Sequence, residues 1–75
     1  MKDIHIDDHH VNYEDDASGG IDYLMRHLDR AEASVFFNGA KNKRHIKFED
    51  AQGKNYTLTH NNDGTYTVEH KVQGW

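Results

Sequence analysis

The sequence predicts an α+β domain in which one amphipathic helix packs on one face of a small antiparallel sheet, in the order β-α-β-β-β. Three observations predict this class. Residues 44–72 alternate apolar and polar side chains around two turn motifs, which indicates a three-stranded meander. Residues 21–37 repeat apolar side chains at intervals of three and four, the period of a helix. Residues 2–6 alternate like a short edge strand, with Ile4 and Ile6 facing inward.

The N-terminal part of the chain is acidic. Residues 1–20 contain six acidic side chains and one lysine, whereas the remainder contains seven acidic and eight basic side chains. This asymmetry predicts a solvated, partly flexible segment at residues 1–20, and we expect residues 7–16 to lack regular secondary structure. Ser18-Gly19-Gly20 would be a flexible lead into the helix.

The helix is predicted over residues 21–37, with Asn38-Gly39 as its C-terminal stop. Asp22 lies in the first turn, where a carboxylate suits the helix dipole, and it can pair with Arg26 one turn later. The apolar stripe that should face the sheet consists of Ile21, Leu24, Met25, Leu28, Ala31 and Val35.

Glu32 falls within this stripe on a helical wheel, about 20° from Ile21 at 3.6 residues per turn. We therefore expect its carboxylate at the edge of the helix–sheet interface. The inner face of the sheet offers three cationic partners, Arg44, His60 and His70, and the alternative is that Glu32 extends outward to solvent.

Both turns of the meander place Asp or Asn first and Gly fourth, as in a three-residue hairpin loop with a bulge. Pairing Asp50 with Lys54 and Asn61 with Thr65 fixes the register. The inner face then collects Ile46, Phe48, Tyr56, Leu58, Tyr66, Val68 and Val72. The outer face collects His45, Lys47, Glu49, Thr57, Thr59, Thr67, Glu69 and Lys71.

Composition limits the classes of protein that fit. The chain has 75 residues, which predicts a single domain over residues 1–75, and only 35% of them are hydrophobic, which predicts a thin core. There is no cysteine for a disulfide or a thiolate metal site, and no apolar run approaches the length of a membrane span. The polar, acidic N-terminus is unlike a signal peptide, so we expect a cytoplasmic protein.

Two aspartates and two histidines lie together at residues 7–10, and two more aspartates follow at residues 15–16. Such side chains can bind zinc or another divalent ion, but their spacing matches no established metal motif. We expect a solvated acidic loop there, with no metal site and no cofactor. Neither serine, Ser18 or Ser34, has a recognisable catalytic base, so we also expect no enzymatic activity.

A small non-catalytic interaction module, for example an accessory regulator or inhibitor, is the function that the sequence favours. Tyr23, Arg26, Arg30 and Phe37 fall on the polar side of the predicted helix, and aromatic side chains with arginine are typical of interface hot spots. Residues 11–16 could also order on a basic protein partner.

The alternative function is association with nucleic acid. The predicted connection from the helix to the next strand is basic, with Lys41, Lys43, Arg44 and Lys47 close together. Against this alternative, the chain carries a net charge of -4, and the outer face of the predicted sheet has no aromatic side chain for base stacking.

Overall fold

The computed structural model describes residues 1–71 and confirms the α+β class. Helical segments cover one face of a five-stranded, mostly antiparallel sheet with strand order β1-β2-β5-β4-β3. The strands are β1 (Lys2–Ile6), β2 (His9–Tyr13), β3 (His45–Glu49), β4 (Asn55–His60) and β5 (Tyr66–Lys71). Between β2 and β3 lie a 3₁₀ turn (Asp15–Ala17), helix α1 (Ser18–Asp22), a π-helical turn (Tyr23–His27) and helix α2 (Arg30–Lys43). The inward position predicted for Val72 lies outside the described residues.

The acidic N-terminal segment contains a strand that the sequence did not predict. β1 forms the predicted edge strand, and β2 pairs with it in an antiparallel hairpin through a two-residue turn at Asp7 and Asp8. Both turn residues have positive φ, 49° and 72°, as a type I′ hairpin turn requires. The prediction that residues 7–16 lack regular secondary structure is therefore wrong. Along β2 the exposed His10 is followed by the fully buried Val11, the alternation of a strand with one face in the core.

β2 joins the rest of the sheet by pairing in parallel with β5. Val11 lies opposite Tyr66 and Tyr13 opposite Val68, so the N-terminal hairpin extends the meander instead of lying apart from it. The predicted order β-α-β-β-β thus becomes ββ-αα-βββ, with one parallel pair in the sheet. A parallel pair needs a long connection, and here the helical segments together with β3 and β4 provide it.

The predicted register of the meander is confirmed at every pair. Ile46 lies opposite Leu58 and Leu58 opposite Val68, and all three face the helices. Gly53 and Gly64 have φ of 84° and 90°, the conformation that the two turns require. The core consists of Ile6, Val11, Ala17, Ile21, Leu24, Ala33, Phe37, Ala40, Phe48, Tyr56, Leu58, Tyr66 and Val68.

The single predicted helix is two helices with a break at Leu28. Leu28 has an extended backbone, and Asp29 then begins α2 with a capping box. The Asp29 side chain accepts a hydrogen bond from the Glu32 backbone N–H at 2.8 Å, and the Glu32 side chain accepts one from the Asp29 N–H at 3.0 Å. The expectation that Glu32 lies at the helix–sheet interface is wrong, because this cap holds it on the exposed surface.

The break also changes which side of α2 faces the sheet. Ile21 and Leu24 are buried as predicted, but Met25 and Val35 are 45% and 68% exposed. The buried positions of α2 are Ala33, Phe37 and Ala40. The predicted stripe fails at Met25 and again beyond Leu28, because the π-helical turn and the extended residue interrupt the helical phase on which it was counted.

Two helical glycines lie where a helix packs closely against the sheet. Gly20 is buried within α1, and a Cβ built on it would lie 2.8 Å from Cδ1 of Tyr56. Residues 18–20 are therefore helical, not a flexible lead. Gly39 lies inside α2 against Ile46, and the helix continues to Lys43 instead of ending at Asn38-Gly39. In both places the absent side chain lets a helix approach the sheet closely.

Candidate interaction surfaces

Strand β3 ends the sheet in the described part of the chain, so one of its edges faces away from the other strands. The Asp50 N–H donates to the Lys54 carbonyl at 3.0 Å, and the His60 N–H donates to the Arg44 carbonyl at 2.8 Å. Because bonded pairs alternate along an antiparallel ladder, the odd-numbered residues of β3 direct their backbone groups away from β4. His45 and Glu49 are two of these residues.

An aromatic cluster lies beside this strand, and we call Tyr23, Phe36 and Phe48 the β3-edge cluster. The Phe48 ring centroid lies 6.2 Å from that of Tyr23 and 5.6 Å from that of Phe36. Phe48 is buried, whereas Tyr23 and Phe36 are half-buried, so the cluster is continuous with the core on one side and reaches the surface on the other. The His27 ring stacks on Tyr23 at 5.6 Å.

A negatively charged notch adjoins the cluster at the turn from β3 to β4. Its lining includes Asp22, Tyr23, His27 and Asp50. Burial acts to raise the pKa of Asp50, but its hydrogen bonds, including those from the backbone N–H groups of Lys54 and Gln52, lower it overall. The carboxylate therefore remains ionised and can bind a cationic side chain.

The same carboxylate accepts a hydrogen bond from the Tyr56 hydroxyl at 3.1 Å. Burial, followed by this hydrogen bond and the charge of Asp50, raises the pKa of Tyr56 to about 12. The hydroxyl therefore stays protonated and continues to donate to Asp50. This contact links the turn at Asp50 to the centre of the core, where Tyr56 is 1% exposed.

The four residues predicted as a partner-binding surface do not form one surface. Phe37 is completely buried and stacks on His9 at 4.2 Å, so its predicted exposure is wrong. Arg30 lies at the turn between β1 and β2, where it pairs with Asp8 at 3.2 Å. Arg26 forms the predicted pair with Asp22 at 2.9 Å. Of the four, Tyr23 alone belongs to the β3-edge cluster.

Phe36 takes the place that the prediction gave to Phe37. The sequence carries a signal for this exchange, because Asp29 and Glu32 have the spacing of a capping box. Counted from that cap, the buried face of α2 contains Phe37, and Phe36 lies beside it.

A second concave surface lies at the other end of β3, and we call it the basic groove. It is lined by Lys41, Asn42, Lys43, Arg44, His60, Asn61 and Asn62. The predicted basic group is therefore partly assembled, since Lys41, Lys43 and Arg44 line the groove and Lys47 does not. The turn between β4 and β5 supplies the other wall, which sequence proximity could not reveal.

Within residues 1–71, neither Lys41, Lys43 nor Arg44 forms an ion pair. The other two arginines, Arg26 and Arg30, both do. No carboxylate lines the groove in that part of the chain. The groove is therefore a local concentration of positive charge on a protein whose net charge is -4.

Arg44 has an unusual backbone conformation. It follows the last residue of α2 with φ of 78° and ψ of -41°. Helices commonly end at a residue with positive φ. That residue is usually glycine, which has no β-carbon to clash in this conformation, and sometimes asparagine. With ψ of -41° the conformation lies outside the left-handed helical region, so glycine is the residue that adopts it without strain, and an arginine here costs stability.

The histidines and carboxylates of the N-terminal hairpin do not converge. The Asp3 carboxylate accepts a hydrogen bond from His10 Nε2 at 3.1 Å, and the His10 ring stacks on His5, while His9 packs inward against Phe37. Among the described residues, no three side chains of His, Asp or Glu are grouped as metal ligands. The acidic segment at residues 11–16 does not form one exposed surface either. Val11 is buried in the core, and the Asp16 carboxylate lies 3.9 Å from Nδ1 of His70.

Across residues 1–71 we find no helix with the length and apolar character needed to cross a membrane. No protein-family model matches this chain, and no curated protein and no solved structure shows significant similarity to it. The features of the described chain that bear on function are therefore the two surfaces at the ends of β3.

Proposed function

We propose that this protein is a small non-catalytic interaction module, an accessory regulator or inhibitor, that binds a partner protein at the β3 edge. The observation that supports this most directly is the combination of an outward-facing strand edge with half-buried aromatic side chains beside it. Extended peptides bind such edges by adding a strand, and pockets for alternate side chains then select the sequence.

The chemistry of the edge suggests what the partner segment carries. An apolar side chain would pack on Tyr23 and Phe36, which contact the core on one side and are partly exposed to solvent on the other. Aromatic side chains lose little entropy on binding and are enriched at interface hot spots. A lysine or arginine would fit the notch, where the Asp50 carboxylate supplies negative charge.

Proline substitutions test whether the strand edge is the binding element. Glu49→Pro removes a backbone N–H that points away from β4 and leaves the ladder to β4 intact. Asp3→Pro is the matched control, because Asp3 has the equivalent outward position on β1 at the opposite edge of the sheet. Circular dichroism of both variants should first establish that each retains the parent fold.

The two variants are then compared with the parent as baits for binding partners from the native host, identified by mass spectrometry. A protein retained by the parent and by Asp3→Pro but lost with Glu49→Pro supports docking at the β3 edge. Equal recovery by all three baits would exclude β3 as the site, and loss with Asp3→Pro alone would move the site to the N-terminal hairpin.

A further inference from the structure

We propose that the basic groove binds a phosphate-bearing ligand, with Arg44 as its principal contact. The groove combines two lysines and an arginine that form no ion pair within residues 1–71. His60 and the side-chain amide of Asn62 add hydrogen-bonding groups on the opposite wall. This site is separate from the β3-edge cluster, so the proposal does not depend on the protein-binding function.

Lys41 and Lys43 have an obvious structural role that must be considered first. They lie in the last turn of α2, where cations balance the partial negative charge of the helix C-terminus. That role is sufficient to explain the two lysines, and it reduces the net field that a ligand would feel. It does not explain Arg44, which lies beyond the helix.

Arg44 is the residue that requires a functional explanation. Its backbone adopts a positive φ that glycine would adopt with less strain. Strained positions of this kind cluster at functional sites in proteins. The carbonyl of Arg44 is fixed by the His60 N–H at 2.8 Å, which ties the arginine to the β4–β5 wall of the groove.

The chemistry of these groups favours phosphate over a simple carboxylate. A guanidinium offers a planar pair of N–H donors that matches two phosphate oxygens, and the lysines add point charges. The net negative charge of the protein is not decisive, since charges beyond about 10 Å are largely screened at ordinary ionic strength. The ligand could be a small phosphorylated compound or the backbone of a single-stranded nucleic acid.

NMR titration of the whole protein tests the site, with inorganic phosphate and pyrophosphate as ligands and acetate at matched ionic strength as the control anion. We expect saturable shifts centred on the backbone amides of Arg44, Asn61 and Asn62 for the phosphates and weaker shifts for acetate. Absence of saturable shifts in the groove, or equal shifts with acetate, would refute a phosphate site.

Fluorescence anisotropy with a labelled single-stranded oligonucleotide separates the two sources of phosphate. If three cations contact the strand, the logarithm of the binding constant should fall with the logarithm of salt concentration with a slope of about -2. Arg44→Gly should reduce this slope to about -1.4, the value for two cations. Oligonucleotide binding no tighter than that of pyrophosphate would identify the ligand as a small phosphorylated compound.

Arg44→Gly is also the decisive variant for the role of the arginine. Because glycine suits the positive φ, the variant should unfold at a higher temperature than the parent while losing the groove-centred shifts. Lys54→Ala removes the same unit of charge at the opposite end of β3, and it should bind phosphate like the parent. Unchanged binding in Arg44→Gly, or an equal loss in Lys54→Ala, would overturn the proposal.

Discussion

Gly20→Ala should destabilise the protein although it replaces a glycine within a helix. In an exposed helix this change stabilises by about 1 kcal/mol. Here the added Cβ would lie 2.8 and 2.9 Å from two ring carbons of Tyr56, closer than van der Waals contact allows. The Tyr56 ring has little room to move. Its hydroxyl donates a hydrogen bond to Asp50 at 3.1 Å, and its centroid lies 5.4 Å from that of the Phe48 ring stacked on it.

Overpacking of a core costs about 1–3 kcal/mol, and a contact this short with a held ring belongs in the upper part of that range. After the gain in helix propensity is subtracted, the net loss in the free energy of unfolding is about 1–2 kcal/mol. With a urea dependence of about 1 kcal/mol per molar, the unfolding midpoint should fall by about 1–2 M. Circular dichroism during urea titration measures it.

Gly39→Ala is the matched control for this measurement. Its Cβ would lie 3.3 Å from Cγ2 of Ile46, a half-buried side chain that can shift slightly. The helix gain should then prevail, and the variant should be unchanged or more stable by up to about 1 kcal/mol. A Gly20→Ala protein as stable as the parent would refute the packing of α1 against Tyr56.

Two further predictions concern the core and the cap. Leu58→Ala should lower the free energy of unfolding by about 2–5 kcal/mol, because Leu58 is fully buried on the interior strand β4, and chemical denaturation would measure it; a loss below about 1 kcal/mol would contradict its place in the core. Asp29→Ala should cost about 1 kcal/mol in thermal unfolding by removing the α2 cap, while Glu32→Gln should be nearly neutral because an amide oxygen can accept the same hydrogen bond. Equal losses in both would show that the charge of Glu32, and not its acceptor, matters.

The sequence predicted the meander because its turn residues determine its register locally. Gly53 and Gly64 need positive φ, and each fixes which residues oppose one another on either side. The N-terminal hairpin was missed because Asp7-Asp8 lacks the glycine that usually identifies a two-residue turn, and because its charges resemble those of a solvated loop. Its place beside β5 depends on a parallel pairing between residues far apart in the chain.

The two surfaces were predictable to different extents. The place of Phe36 in the β3-edge cluster could have been predicted from the capping box at Asp29. This cap marks where α2 begins, and the helix that begins there has Phe37, not Phe36, in the core. The basic groove could be predicted only in part. Three of its cations are close in sequence, but its Asn61 wall and the positive φ of Arg44 arise from the folded structure.

The placement of the two surfaces follows from the position of β3 in the sheet. Arg44 precedes the strand and Asp50 follows it, so one short edge strand separates a positive groove from a negative notch. An edge of this kind would promote self-association if it were long and apolar, but β3 is five residues long with exposed charged side chains. In the proposed function, the β3-edge cluster and the notch would therefore supply most of the affinity for a partner, and the strand would supply main-chain hydrogen bonds and orientation. The groove lies at the far end of the same strand, where a phosphate-bearing ligand could bind while the edge is occupied.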